Sequence, residues 1–455
     1  MNDTIAAIAT GTAVTAIGIV RISGPEAIAA AERVFSPADG KRLSAHADRK
    51  LVYGTLSGRR GAAIDICLAT ISRAPHSYTG EDTAELQCHG SPAVLREALD
   101  ALFAAGARQA LPGEFTRRAF LNGRMDLVQA EAVIDIIEAE TAAGAENAVG
   151  QLGGALSRRI GAVYSSLLDL EAHFGAVLDY PDEDIEPFEA EECRIALSSA
   201  AEELRRILGT FERGRILREG VRAALIGRPN AGKSSLMNAL LGYERAIVTN
   251  MPGTTRDTIE EKAVLGGVTV RLTDTAGLRE AEGEAERLGV ERARSAAEGA
   301  ELVIAVFDGS APLTEEDEET LAAARAAKRA IAVISKRDLP AALSAADLGG
   351  GFNAVVELSS RTLEGVDGLC AAIARLFPSP AAPAGEILTN ARQAEAARRA
   401  LGSVEAALDA LTSGLTPDAV LTGAEDALSA LGELTGRTVR EDVVDRIFER
   451  YCVGK

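Results

Sequence analysis

Residues 227–234 read GRPNAGKS, a match to G-x-x-x-x-G-K-[ST]. The apolar run VRAALIG leads into them and SLMNALLG leads away. Strand, glycine-containing loop and helix therefore come in the order that phosphate binding needs. Gly227 and Gly232 let backbone N–H groups face phosphate oxygens, and the helix N-terminus adds a favourable field. Lys233 is placed to neutralise β- and γ-oxygens, and Ser234 to offer a hydroxyl to Mg2+. Asn230, Ala231 and Ser235 complete the loop's contact set.

Other motifs follow in the order a nucleoside triphosphatase requires. Thr249, Asn250, Met251, Pro252, Gly253, Thr254 and Thr255 form a candidate switch loop in which one threonine completes the Mg2+ shell. Asp274, Thr275, Ala276 and Gly277 spell DTAG at a strand end. Asp274 would hold Mg2+ through water, and the Gly277 N–H would meet the γ-phosphate. In SKRD, Asp338 is placed to accept from the N1–H and amino edge of guanine, an edge adenine lacks, while Lys336 lies along the base plane. Ser359, Ser360 and Arg361 would reach the base through backbone N–H groups. Ser335 stands where such domains usually carry Asn. It can keep a bond to the scaffold but loses the amide, so weaker base affinity with retained guanine preference is expected.

The hydrolytic group is less legible. Leu278 occupies the position that often holds a water-orienting Gln, and Leu cannot hydrogen-bond water. Glu280, Glu282, Glu284 and Glu286 follow, and spacing does not choose among them. Arg256 or Arg279 could supply a positive charge, with surface charge as the plainer role. Asn230 could instead ligate a monovalent cation, or only tolerate an unusual backbone angle. The chain ends YCVGK. Cys452 there is either part of a frayed tail or a thiol placed for chemistry. Gly454 and Lys455 fit a prenylation signal poorly.

These residues need elements to hold them. At 455 residues the chain has length for about three domains. Residues 1–118 mix strand-like runs (GIVRIS, AIDICLATI, TAELQCHG) with helices, an α+β texture. Helical periodicity dominates 119–215. Alternating strands and helices over 216–376 predict a doubly wound parallel sheet inserted into the helical domain. The Pro-rich FPSPAAPAG leads into a second helical part, 377–455.

A net charge of −19 means that any RNA contact must use a local basic patch. Five scattered cysteines without a C-x-x-C pair give no zinc signature, so no zinc site is expected, and the thiols read as reduced. The first twenty residues lack a basic region before their apolar run, and no spanning segment is evident. A cytoplasmic protein is expected.

Longer blocks carry a resemblance. DTIAAIAT…GIVRISG, SYTGEDTAELQCHG, PGEFTRRAFLNGRMDLVQAEAV, AIVTNMPGTTRD, DTAGLRE…ERLGVERAR and EDVVDRIFERYCVGK resemble the MnmE (TrmE) family over nearly the whole chain. The resemblance implies an N-terminal domain that dimerises and binds a tetrahydrofolate, a helical bundle, and an inserted Ras-like P-loop GTPase domain. It implies K+-dependent GTP hydrolysis and, with an FAD-bearing MnmG partner, modification of carbon 5 of the wobble uridine of certain tRNAs. No membrane partner is expected. By this likeness Asn230, Thr249, Met251 (through its backbone) and Thr254 form a K+ loop, and Ser234 and Thr255 hold Mg2+. Glu286 positions the water, and Arg21, Glu85, Arg124 and Lys455 contact folate, with Arg124 standing where Lys is common. Cys452 would act as nucleophile or acid beside that pocket. The GTPase motifs alone fit a ribosome-assembly switch equally well. The N-terminal blocks and the lack of a basic RNA-binding module oppose that reading.

Overall fold

The computed structural model describes residues 3–11, 13–179, 190–243, 260–274, 299–378, 382–449 and 451–454. It divides into two compact units. The first comprises residues 1–134, 152–197 and 402–455, the second residues 135–151 and 198–401.

Period-2 alternation builds the sheet of the first unit. Its strands are β1 (Ile5–Ile8), β2 (Ile17–Ser23), β3 (Phe35–Pro37), β4 (Val52–Ser57), β5 (Ala63–Ser72), β6 (Thr83–His89) and β7 (Arg108–Gln109). They lie in the order β3-β4-β5-β6-β2-β1-β7, antiparallel throughout except for the parallel β1–β7 pair. Helices Ala27–Val34 and Pro92–Ala104 bury alanine and leucine faces against Val20, Ile22, Ile71 and Leu86. At Gly18 a β-carbon would lie 2.5 Å from Leu95 Cδ1, so any larger residue there requires the Leu95 side chain to shift. Among the helices of this unit, Glu114–Leu121 and Glu441–Phe448 share a cluster in which Phe448 stacks at 5.1 Å on Tyr451.

The second unit carries β8 (Val221–Ile226), β9 (Glu260–Leu265), β10 (Val268–Asp274), β11 (Leu302–Asp308), β12 (Ala330–Ser335) and β13 (Ala354–Glu357). The order is β13-β12-β11-β8-β10-β9, with every neighbouring pair parallel except β9–β10. β11 and β12 are buried at every residue, the continuous apolar run that a sheet covered on both faces requires. Two clusters fill the two faces, one around Leu225 and Ile304, the other around Ile226 and Phe307. The N-terminal α+β sheet and the doubly wound parallel sheet are as expected from the sequence patterns. Among the described residues no helix is long and apolar enough to cross a membrane.

Candidate functional site

The carboxyl ends of β8, β10, β11 and β12 carry the nucleotide motifs. Helix Lys233–Tyr243 begins directly after the loop, so its N-terminus faces the same edge. Gly227 has φ +152°, and a β-carbon there would fall 2.4 Å from Val306 O. Asn230 is held at φ +61° and Gly232 at φ +104°, the left-handed conformations by which a loop of this kind can turn backbone N–H groups towards an anion. Lys233 Nζ crosses its own loop, donating to Gly227 O at 2.7 Å and Arg228 O at 2.9 Å. Ser234, Ser235 and Asn230 are exposed, and Ala231 is buried beneath them. Asp274 pairs in register with Leu225, so the DTAG motif starts beside the strand that feeds the loop.

The SKRD and SSR segments are wired into the domain through side chains. Ser335 lies under the loop and Lys336 follows at φ +57°, a strained position for a residue with a β-carbon. Its Nζ donates to Asp308 Oδ2 at 2.7 Å. Arg228 approaches the same carboxylate at 3.6 Å and Asp317 at 3.2 Å. Burial pushes the Asp308 carboxyl up. The Lys336 ammonium and the bonds from Ser310 outweigh it and hold the group below the usual carboxylate range. Asp338 is exposed, and its Oδ1 accepts from Ser359 Oγ at 2.8 Å. Ser359 Oγ also accepts the N–H groups of Arg361 and Thr362. Sequence reasoning assigned Ser359 a backbone contact and missed its side chain as the post that aims Asp338. Asp308 and Arg228 were missed too, because charges this far apart in sequence announce nothing until the strands align.

In the first unit the last residues are docked. Val453 bridges Pro112, and Gly113 N–H donates to Cys452 O at 3.2 Å. Tyr451 Oη donates to Ala130 O at 2.8 Å. Gly454, at φ +99°, has room for no β-carbon, since one would lie 2.4 Å from Ile8 O. Arg21 pairs with Glu85 at 2.9 Å and reaches Gly454 O at 3.5 Å. Its guanidinium lies 5.6 Å from the Tyr78 ring centre and 5.8 Å from that of Phe115. Cys452 is half-buried and in no disulfide. Arg124 is exposed, with its aliphatic stem 3.2 Å from where a Gly80 β-carbon would stand. Thus Arg21 meets both Glu85 and the docked segment.

The profile of the MnmE helical domain matches residues 127–452, and that of the GTP-binding protein TrmE N-terminus matches residues 4–124. A relative from Symbiobacterium thermophilum, named tRNA modification GTPase MnmE, is 47% identical over 456 residues, covering 100% of both chains. The chain belongs to the MnmE family. A member from Thermus thermophilus with the same name is 45% identical, again over 100% of each chain. Among solved structures, the G domain of the T. maritima FeoB iron transporter aligns with 34% of this MnmE-family chain and 97% of its own, at 30% identity and a TM-score of 0.25. Thr249, Asn250, Met251, Pro252, Gly253, Thr254, Thr255, Thr275, Ala276, Gly277, Glu286 and Lys455 lie outside the described residues, as does the side chain of Asp274.

Proposed function

We propose that this chain is a GTP hydrolase of tRNA modification, acting in the cytoplasm. The observation that carries the reading is the Ser359–Asp338 bond, which holds a guanine acceptor one strand from a phosphate loop of the required backbone shape. Asp338 accepts the guanine edge. The loop and the helix N-terminus receive the phosphates. Ser234, exposed at the first turn of that helix, suits Mg2+, with Thr255 as its partner ligand. Asn230 suits K+, because its left-handed backbone leaves an exposed amide oxygen on the loop. Thr249, Met251 and Thr254 would complete that site. Either ion supplies positive charge against the charge that develops between the β- and γ-phosphates. Glu286 would orient the attacking water in place of Gln.

The second half of the reading concerns the docked segment. Arg21, Glu85, Arg124 and Lys455 would receive a tetrahydrofolate. A partly buried carboxylate and guanidinium beside Tyr78 suit an amino-substituted ring and an anionic tail. Cys452 would act there as nucleophile or acid, in a homodimer formed through the N-terminal domain. An FAD-bearing partner similar to MnmG would complete the modification of the wobble uridine.

Steady-state GTP and ATP hydrolysis in K+ and Na+ buffers tests the first half. Turnover of GTP alone, faster in K+, is the expected result, and equal turnover of ATP would end the guanine assignment. For the second half, Cys452→Ser should abolish the modified nucleoside in tRNA while sparing GTP hydrolysis.

A further inference from the structure

Two thiols, a carboxylate and an imidazole converge at one end of the N-terminal sheet, and none of the four has a role in the reading above. β5 and β6 pair Ala69 with Leu86 and Leu68 with Gln87, so the next step sets Cys67 opposite Cys88. Asp65 precedes Cys67 by two residues and therefore shares its face. The donor atoms of Asp65, Cys67 and Cys88 all lie within 4.8 Å of one another. The two cysteines are 5% and 2% exposed, and the Asp65 side chain 8%. His89, the residue after Cys88, brings its Nδ1 to 2.8 Å from Asp65 Oδ1. The backbone N–H groups of Ile66 and His89 donate to Oδ1 and Oδ2 of the same carboxylate, each at 2.8 Å. Asp65 is thus held in one orientation against the thiols.

We infer that Asp65, Cys67 and Cys88 form a binding site for a thiophilic divalent ion of the Zn2+ class. Two cysteine sulfurs and one carboxylate oxygen are a donor set that selects Zn2+ over Mg2+ or Ca2+, which take oxygen throughout. Zn–S of about 2.3 Å and Zn–O of about 2.0–2.2 Å place tetrahedral donors roughly 3.5–3.8 Å apart, so closing the set takes a shift on the order of 1 Å. The three protein donors leave the fourth position to water. His89 is a positioning residue: its ring bond to Asp65 orients the carboxylate, the outer-shell pairing found around metal-bound carboxylates and imidazoles. Binding replaces two S–H bonds by two metal–thiolate bonds and releases two protons to solvent. Sequence spacing hides the set, because 20 residues lie between Cys67 and Cys88 and only strand pairing joins them.

The test uses the full-length protein, freed of metal under reducing conditions and titrated with Co2+. The expected result is a thiolate-to-cobalt charge-transfer band that saturates at one equivalent per chain and is displaced by Zn2+. The band should be retained in Cys452→Ser and absent in Cys67→Ser/Cys88→Ser. If that double variant does not fold, Asp65→Asn and His89→Ala supply the reading. Asp65→Asn should weaken Co2+ binding at least tenfold and His89→Ala severalfold, with unchanged far-ultraviolet circular dichroism. No band, a band surviving in the folded double variant, or full Co2+ affinity in Asp65→Asn would overturn the site.

Discussion

Ser335 Oγ lies 2.6 Å from Ala231 O and 2.9 Å from Phe307 O, sharing one hydroxyl proton between two buried carbonyls. The strand that ends in the base-recognition motif is therefore bonded to the phosphate loop itself. A hydroxyl does this with one donor where an amide would have two.

Ser335→Ala should weaken both ends of the nucleotide site together. Leaving a buried acceptor without its donor costs about 1–3 kcal/mol, which is roughly 5- to 150-fold in affinity if the loop bears all of it. Titration with fluorescent GDP and ADP reads the effect. GDP binding should fall while the preference for GDP over ADP stays, because Asp338 and Ser359 are untouched. Unchanged GDP affinity would remove Ser335 from the site.

Ser359→Ala should do the reverse and erode selectivity. It frees the exposed Asp338 carboxylate and deprives the Arg361 and Thr362 N–H groups of their acceptor. Asp338 is solvated, so the loss is on the order of 1 kcal/mol, or about fivefold in the KM for GTP. The weak binding of ADP should not move, and an equal change for GDP and ADP would contradict the role.

Asn230 separates backbone shape from cation binding. Glycine tolerates φ +61° at no steric cost, so Asn230→Gly keeps the loop and deletes the side-chain oxygen. Its rate of GTP hydrolysis in K+ should drop to its rate in Na+. Persistent stimulation by K+ would assign the ion to other residues.

Gly454→Ala should release the docked segment. The added carbon meets Ile8 O at 2.4 Å with φ at +99°. Backbone strain of this kind costs about 1–3 kcal/mol before the clash is counted. Cys452 should then react with a thiol reagent at least tenfold faster, while GTP hydrolysis is unaffected. Unaltered reactivity would mean that the strand-like bridge between Val453 and Pro112 holds on its own.

Glu114 gives the first unit an acid limit. It is 4% exposed, donated to by Arg108, Arg118 and the Leu111 N–H. Burial raises its pKa, and those partners more than reverse this, so the folded value lies below the ordinary 4.5. A depressed folded pKa stabilises above the unfolded value, and that stability is lost as pH falls through 4.5 towards the folded value. Glu114→Gln should lower the melting temperature at neutral pH, and the gap to wild type should close on acidification. A gap independent of pH would show that shape, and not charge, is at stake.

Much of this was legible beforehand. A motif whose members are neighbours in sequence, such as GRPNAGKS, carries its own loop geometry in two glycines and a lysine. Period-2 and continuous apolar runs marked β2, β5, β6, β8, β11 and β12, because burial of one or both faces is written directly into residue order. The resemblance extended this to the family.

Other relationships depended on distance in the fold. Arg21 meets Glu85, the Tyr78 ring and Gly454 only because β2 pairs with β6 and the last turn closes over Ile8. Cys67 faces Cys88 only because β5 and β6 are in that register. The sequence by itself determined the phosphate-loop motif and the succession of an α+β sheet and a doubly wound parallel sheet, since local sterics and apolar periodicity act over a few residues. Tertiary structure alone decided which distant side chains meet, because register and close packing depend on the whole chain's contacts at once.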